Sequence, residues 1–412
     1  MLKFIAKEIQ FLKTTEGVPD LSPPEAYYSD LLTQPSKEFK IFARRIADTC
    51  ASKKTFTTAV IQIDPATPED AVDKANEVFH ACFHSMLDED RGIWECLDPF
   101  TAIFVFWDYQ TAAQGKKLLD LLNKKISQAL NAELIMGTIA FPFHDFPIEE
   151  MAGCALKALD HAAFFGPGHA VEFDGISLNI SGDRLFQLNN IDAAITEYEK
   201  GLSIAPADIN LLNSLGVAFG VDGYLDKAME FFEKARDISP EEVMVIHNIG
   251  LIHRVNDKND SALAYLKKAH GINPDIFEIE LLLGHLLFKE QKLDPAIIHL
   301  DAAIQLKPES GTAFRIKGQI LLEKKDPPGA AIQFNQAVKL NPNDPEALSG
   351  YARAMALQQK NLPIALSFAK KSLDLNPENE RYKQYLEEIQ NIQAQIEEIH
   401  ERTDPADCSG CH

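Results

Sequence analysis

The chain has 412 residues, of which 46% are hydrophobic, so it is long enough for two or three domains and too apolar to be mainly disordered. Its formal net charge of −21 argues against nonspecific binding to nucleic acid or anionic membranes by the molecule as a whole. Lys7 and Glu8 interrupt the apolar N-terminal run, and no apolar run approaches the roughly 18 residues of a membrane-spanning helix. We therefore expect a cytoplasmic protein without membrane or nucleic-acid partners.

The part of the chain that ends at Asp174 divides in two. Residues 1–54 show helical spacing without residues that suggest chemistry, so they are predicted to be a helical lead-in. From residue 55 to 174, helices alternate with the predicted strands FTTAVIQI, FTAIFVFW, ELIMGTIAF and HAVEF. This alternation predicts an α/β sandwich with a mixed or antiparallel sheet.

The end of this part, GTIAFPFHDFPIEEMAGCALKALDHAAFFGPGHAVEFD, resembles the closing strand, Pro turn, Ala-rich helix and final strand of the GGDEF family, the diguanylate cyclases. The resemblance implies a ferredoxin-like palm fold. It also implies a metal site, with Asp64 as the Asp after the first strand and Asp98 in the hairpin. Two carboxylates are the usual anchor for Mg²⁺ with a triphosphate.

Several positions depart from the GGDEF pattern. Cys96 and Leu97 stand where the family has the two glycines that let a phosphate approach the backbone. Pro99 replaces the family's Glu, and Ala163 replaces its Lys. We therefore expect a degenerate domain that makes no cyclic dinucleotide. It is either a nucleotide or cyclic-dinucleotide sensor, or residual cyclase, using Asp64 and Asp98, or a fold kept for protein contacts. The simplest alternative makes the two Asp residues ordinary turn and hairpin residues.

Beyond Asp174 the chain is periodic. Three residue types recur at one constant spacing: glycine at 182, 216, 250, 284 and 318, alanine at 194, 228, 262, 296 and 330, and proline at 206, 240, 274, 308 and 342. The order of residue types within each unit of this 34-residue period resembles the tetratricopeptide repeat (TPR). The spacing of large apolar residues predicts two helices a unit, and the small residues mark where the two helices approach closely.

Six such units are predicted over residues 175–378, starting near residues 175, 209, 243, 277, 311 and 345. The sixth unit carries one extra residue in its turn, near Asn361. Because each helix pair leaves a face unburied, the units are expected to stack into an all-helical superhelical solenoid. Residues 379–402 are predicted to form a polar helix that caps its apolar end, and residues 403–412 to form a flexible tail.

The tail ends in Cys408, Cys411 and His412, in the CxxCH spacing that attaches c-type haem. The context is unfavourable, since haem is attached outside the cytoplasm and no export signal is found. A zinc or redox thiol pair is a second possibility, and a disordered tail is the simplest. We predict no cofactor.

In TPR proteins the first helices of successive units line a groove for a peptide or a helix of a partner. By register, that face carries mostly cationic and amide side chains, which favours an acidic peptide or a C-terminal carboxylate. The residues are Asn213, His247, Asn248, Arg254, His285, Lys289, Arg315 and Gln319. The full Lys/Asn set of the carboxylate-clamp subtype is absent, and the alternative is a set of ordinary solvated side chains. The sequence therefore predicts a non-enzymatic bacterial signalling adaptor of unknown oligomeric state.

Overall fold

The structure, a computed structural model, describes residues 11, 37–64, 66–86, 91–107 and 112–403. The described residues fall into two compact units. The first comprises those between 37 and 240, and the second comprises Phe11 and the residues from 241 onward. Most of the predicted lead-in lies outside the described residues, as does the tail with Cys408, Cys411 and His412. Among the helices that are described, none has the length and apolar character needed to cross a membrane.

The first unit begins with an α/β region. Its helices are α1 (Lys37–Cys50), α2 (Glu69–Val72), α3 (Ala75–His84), α4 (Ala112–Leu130) and α5 (Met151–Ala163). Its strands are β1 (Phe56–Ile63), β2 (Gly92–Asp98), β3 (Thr101–Trp107), β4 (Leu134–Phe141) and β5 (Ala170–Glu172). The sheet order is β2-β3-β1-β4-β5. All pairings are antiparallel except β4 with β5, so the prediction of a mixed sheet is confirmed.

Helices cover both faces of the sheet. Successive residues of a strand point to opposite faces, so Phe56 and Val60 of β1 pack with α1 and α5, whereas Ala59 and Ile61 pack with α3 and α4. Every residue of β1 is buried. This is the pattern of a strand covered on both sides, and it explains the near-continuous apolar run in its sequence.

One glycine fixes how closely α5 lies on the sheet. A Cβ added to Gly137 in β4 would stand 2.0 Å from the backbone nitrogen of Leu159 and 2.3 Å from the carbonyl oxygen of Ala155. Only a residue without a side chain fits there, because backbone atoms of α5 cannot move aside independently.

The remaining helices of the chain form pairs. In the first unit they are α6 (Gly175–Gln187), α7 (Ile191–Ile204), α8 (Ile209–Val221) and α9 (Leu225–Ile238). In the second unit they are α10 (Val243–Val255), α11 (Asn259–Ile272), α12 (Phe277–Lys289), α13 (Leu293–Leu306), α14 (Gly311–Glu323), α15 (Pro327–Leu340), α16 (Pro345–Leu357), α17 (Leu362–Leu375) and α18 (Glu380–Thr403). The predicted all-helical repeat region is confirmed. The six predicted unit starts coincide with the first residues of α6, α8, α10, α12, α14 and α16.

Each pair is joined by a short turn with one left-handed residue. The turns hold three residues in the first five repeats and four in the sixth, where α16 ends at Leu357 and α17 begins at Leu362. The left-handed residues are Asn189, Gly223, Asp257, Gln291, Lys325 and Gln359, and Asn361 adds a second one in the sixth turn. The extra residue near Asn361 therefore lengthens the turn without changing either helix.

The periodic glycines lie where the two helices of a pair meet. A Cβ on Gly182 would stand 2.3 Å from the Tyr198 ring, and one on Gly216 would stand 2.6 Å from the Phe232 ring. The other three face Leu266, Leu300 and Phe334, which occupy the same position of their own repeats as Tyr198 and Phe232 do. The small residue in the first helix and the bulky residue in the second are thus one packing unit.

The polar helix predicted over residues 379–402 corresponds to α18. It packs on α16 and α17 through the buried Tyr382 and Ile389. On its other side, the Arg353 Nε donates to Glu388 at 3.0 Å. The last helix pair is therefore covered on one face by an amphipathic helix, whose exposed side is polar.

Candidate partner-binding site

The predicted groove residues all lie on first helices of repeats. Asn213 is on α8 in the first unit. The other seven are in the second unit, where α10 carries His247, Asn248 and Arg254, α12 carries His285 and Lys289, and α14 carries Arg315 and Gln319. The candidate site therefore lies in the second unit.

Three of the predicted residues are not accessible in this structure. The exposed fraction is 3% for Asn213 and 0% for both His247 and Asn248. These side chains therefore lie on the predicted helix face but are buried, and their role in lining a groove stays a prediction. Register identifies the helix face on which a residue lies, but not how closely the rest of the chain approaches that face.

Arg315 is already paired within the chain. Its Nε lies 3.2 Å from an Asp344 carboxylate oxygen, and its Nη1 donates to Glu346, which also accepts from Gln319. Asp344 and Glu346 stand at the start of α16, where carboxylates also interact favourably with the helix dipole. The next repeat thus already supplies carboxylates to Arg315, and binding of an acidic partner by Arg315 stays a prediction.

Arg254, His285, Lys289 and Arg315 nevertheless form one cationic cluster. Arg254 is 7% exposed, and a carboxylate oxygen of the exposed Asp257 lies 3.7 Å from its Nη1. Within the described chain, neither the Arg254 Nε nor the His285 Nδ1 has a hydrogen-bond partner. Buried polar atoms in folded proteins nearly always have hydrogen-bond partners. These two atoms therefore mark a place where the hydrogen bonding within the chain is incomplete.

The pKa values follow from this arrangement. Burial lowers the pKa of His285 to about 3, with further lowering by the charges of Arg254, Lys289 and Arg315. Burial also lowers the pKa of Lys289, and the charge of Arg254 adds to that effect. His285 is therefore a neutral imidazole at pH 7, surrounded by cations. A bound anion would reduce the mutual repulsion of these cations and accept hydrogen bonds from their N–H groups.

Comparison among the repeats shows that the fold does not require Arg254. The same position of the other five repeats holds an apolar residue or glycine: Phe186, Gly220, Phe288, Leu322 and Ala356. A buried guanidinium with an unsatisfied N–H destabilises the folded chain, since desolvation of a charged donor is costly. A residue that weakens the fold in this way is a candidate for function.

A cavity of about 250 Å³ has Gln319 and Glu346 in its wall. It is lined by residues of α12, α14, α15, α16 and α18, among them Phe288, Arg353 and Tyr385. The buried Ser349 Oγ at its wall has no hydrogen-bond partner among the residues described. The second unit therefore also contains a space with both apolar and polar walls.

The two Asp residues of the α/β region are held by their own turns. The backbone N–H of Ala66 donates to Asp64 at 3.0 Å, and that of Phe100 donates to Asp98 at 2.8 Å. A carboxylate that accepts a backbone N–H two residues later is an ordinary feature of turns. Within the described ranges, neither residue belongs to a group of three side chains able to hold a metal ion. This geometry fits the structural interpretation of the two residues, as a turn residue and a hairpin residue.

One polar cluster was not predicted from the sequence: His270 of α11, Glu280 of α12 and His299 of α13 meet in the second unit. Motif spacing could not reveal it, because its members lie on three different helices. One signal was available: Glu280 occupies a repeat position that is apolar in the other five repeats, namely Leu178, Leu212, Ile246, Phe314 and Leu348.

Comparison with known proteins identifies the helix pairs. A TPR family model matches residues 182–223, and a second tetratricopeptide repeat model matches residues 281–345 and 317–380. No curated protein sequence matches the chain.

Among solved structures, that of Pseudomonas aeruginosa pilF is 17% identical over 52% of this chain and 97% of its own, with a TM-score of 0.49. The Cut9–Hcn1 hetero-tetramer of APC/C is 16% identical over 66% of this chain and 52% of its own, with a TM-score of 0.46. A thermophilic TPR protein of Thermus thermophilus, TTC0263, is 21% identical over 44% of this chain and 98% of its own, with a TM-score of 0.36. From the family-model matches, the chain contains tetratricopeptide repeats.

Proposed function

We propose that this protein is a non-enzymatic cytoplasmic adaptor whose tetratricopeptide repeats bind a partner protein through an acidic group. The TPR matches support interaction with another protein as the function of the repeat region. The acidic group is an Asp or Glu side chain, or a C-terminal carboxylate, of an extended peptide. It docks on Arg254, His285 and Lys289 in the second unit.

The observation that carries this proposal is the incomplete hydrogen bonding at the cationic cluster. A carboxylate has two oxygens, each able to accept hydrogen bonds from a guanidinium or an ammonium group. The buried Arg254 Nε and the exposed Lys289 would supply such donors, one at the base of the site and one at its mouth. Arg315 is not assigned a part in binding, since Asp344 and Glu346 already pair with it and offset its charge.

Peptide display on the full-length chain tests the proposal, with a library whose members end in a free carboxylate. We expect the selected peptides to be rich in Asp or Glu, or to lose affinity when the C-terminus is amidated. The double variant R254Q/K289A should weaken binding of a selected peptide by about tenfold or more, because hydrogen bonds to charged groups contribute about 1.5–3 kcal/mol each. Fluorescence anisotropy of the labelled peptide measures the affinity.

The variant K267A is the matched control, since Lys267 is an exposed lysine on α11, outside the cationic cluster. It should bind the peptide as the unchanged chain does. Three results would contradict the proposal: no peptide selected, selected peptides without an acidic dependence, or equal affinity for the chain and R254Q/K289A.

For the α/β region we propose a degenerate GGDEF-like domain that has no catalytic activity and serves regulation or protein contacts. The turn hydrogen bonds of Asp64 and Asp98 support this, together with Cys96 and Leu97 at the glycine positions of the family. Calorimetric titration with GTP or with cyclic di-GMP, in the presence of Mg²⁺, should give no heat of binding. Micromolar binding of either nucleotide would favour the sensor interpretation instead.

A further inference from the structure

Three side chains of the second unit converge at the junction of the third and fourth repeats. The Nδ1 of His270 lies 2.5 Å from one carboxylate oxygen of Glu280, and the Nδ1 of His299 lies 2.8 Å from the other. All three ligand atoms lie within 4.8 Å of one another. The two imidazole rings pack edge to face, with their centroids 5.2 Å apart.

The carboxylate is buried, and the two imidazoles that contact it are partly exposed. The side chain of Glu280 is 1% exposed, that of His299 is 19% exposed and that of His270 is 39% exposed. A buried carboxylate requires either compensating charge or several hydrogen bonds. The partly exposed His270 leaves a route by which a small ion can reach the carboxylate.

The helical repeat does not by itself require these polar residues. At the junction of the first and second repeats, the same three positions hold Leu202, Leu212 and Phe231. At the junction of the fifth and sixth they hold Val338, Leu348 and Phe368. Two junctions of the same architecture are thus apolar where this one has two imidazoles and a carboxylate. The substitution of all three positions together indicates a shared function.

We propose that His270, Glu280 and His299 form a binding site for a divalent transition-metal ion, with Zn²⁺ as the best match. Imidazole nitrogen and carboxylate oxygen are both zinc ligands, and two His with one Glu is a known protein ligand set that leaves a coordination position for water. The ion would neutralise the buried carboxylate and tie together α11, α12 and α13. The site is separate from the cationic cluster and independent of the function proposed for it.

Only small movements are needed to accommodate the ion. Zinc–ligand distances of about 2.0–2.2 Å place two tetrahedral ligands roughly 3.4 Å apart. The Nδ1 atoms must therefore move away from the carboxylate oxygens by less than about 1 Å. The histidines can make this movement because both rings are partly exposed.

Equilibrium dialysis against micromolar Zn²⁺ tests the site on full-length chain that carries C408S and C411S, so that the tail thiols cannot bind the metal. We expect one zinc per chain. The further variant E280Q keeps the size of the side chain but removes its charge, and should bind zinc at least about tenfold more weakly, since even residues that merely orient a ligand are worth about 10–100-fold. Glu323→Gln, an exposed glutamate on α14, is the control and should leave zinc binding unchanged.

A footprint on the same C408S/C411S chain covers the case in which E280Q does not fold. Zn²⁺ should protect His270 and His299 from diethyl pyrocarbonate while the exposed His169 stays reactive, as read by mass spectrometry. With Co²⁺ in place of zinc, the visible spectrum should show bands of a nitrogen and oxygen site. Absence of zinc binding, undiminished binding by E280Q, or protection that does not include both histidines would overturn the proposal and leave a hydrogen-bonded network only.

Discussion

At the scale of single residues, glycine recurs once in each of the first five repeats because there is no space for a side chain at that position. Gly284 on α12 shows the principle: a Cβ there would stand 2.7 Å from Cγ of the fully buried Leu300 and 3.3 Å from the carbonyl oxygen of Ala296. Neither group can move easily, because one is packed in the core and the other belongs to a helix backbone.

We therefore expect Gly284→Ala to destabilise the folded chain by about 1–3 kcal/mol, the usual range for overpacking. The greater helix propensity of Ala, worth up to about 1 kcal/mol, offsets part of the clash but not all of it. A lower urea midpoint of unfolding for Gly284→Ala than for the unchanged chain would show the destabilisation.

Gly271→Ala is the matched control in the same unit. Gly271 lies in the last turn of α11, is exposed, and has no heavy atom within 4 Å of an added Cβ. Its urea midpoint should stay unchanged or rise slightly. If G284A unfolds at the same midpoint as G271A, close packing does not explain the glycines.

At the scale of elements, the α/β region is attached to the first repeat by ion pairs between neighbouring helices. Arg184 of α6 donates two hydrogen bonds, from Nε and Nη2, to the carboxylate of Asp160 of α5. The Asp160 side chain is 1% exposed. Lys157 of α5 pairs with Glu197 of α7 at 2.6 Å. The predicted domain boundary at residue 174 thus lies inside the first compact unit.

Arg184→Ala should destabilise the first unit by about 3–5 kcal/mol, the usual cost of leaving one partner of a buried ion pair without the other. Arg236→Ala is the control: Arg236 pairs with the exposed Asp237 on the surface, and such pairs contribute about 1 kcal/mol or less. Thermal unfolding followed by circular dichroism distinguishes the two variants. Equal effects of R184A and R236A would be incompatible with a structural role for the Asp160 pair.

The destabilisation by R184A should also depend on pH. Burial raises the pKa of Asp160, and the hydrogen bonds and charge of Arg184 oppose that rise. With Arg184 in place the folded-state pKa of Asp160 already lies above the unfolded value of about 3.9, and without Arg184 it rises further, so the folded state of the variant binds the proton more tightly. The penalty is then absent below the unfolded pKa and grows as the pH rises. The difference between R184A and unchanged chain should shrink on going from pH 7 to pH 4, and a constant difference would contradict this account.

At the scale of the whole molecule, the ends of a repeat array need covering. In the second unit, α18 supplies this by burying Tyr382 and Ile389 against the last helix pair. A chain that ends at residue 378 would expose the apolar face of the sixth repeat, because no other described helix of the second unit packs on the face that α18 covers.

We expect the 1–378 truncation to melt at lower temperature and to aggregate more readily than the full chain. The 1–403 truncation is the control, since it keeps α18 and removes only the segment with Cys408, Cys411 and His412. Differential scanning calorimetry and light scattering would measure both properties. If 1–378 behaves like 1–403, α18 is not a cap.

Net charge acts at this scale as well. The molecule carries a formal charge of −21, which repels an acidic partner at long range. At physiological ionic strength that repulsion is screened beyond about 8 Å, whereas contacts at a partly buried site are screened much less. In the proposed complex, selectivity for an acidic group would therefore come from the few side chains of the cationic cluster.

The sequence by itself determined the repeat architecture, because the two helices of a pair are consecutive in the chain and pack directly on each other. A glycine and its bulky partner, such as Gly216 and Phe232, lie on consecutive helices, and the six helix starts follow from the same period. Four of the five strands in the α/β region were also predicted, since their apolar runs are short and bounded by turn residues. The edge strand β2 was not predicted, because its sequence GIWECLD is only partly apolar.

Only the tertiary structure decided which polar residues are available. Asn213, His247 and Asn248 lie on the predicted helix face but are buried, and Arg315 has its carboxylates from the next repeat. His270, Glu280 and His299 meet although they lie on three different helices. The reason is physical. The helical period of the sequence determines on which face of its own helix a side chain lies. Its accessibility, its ion pairs and its pKa depend on which residues of the neighbouring helices contact it.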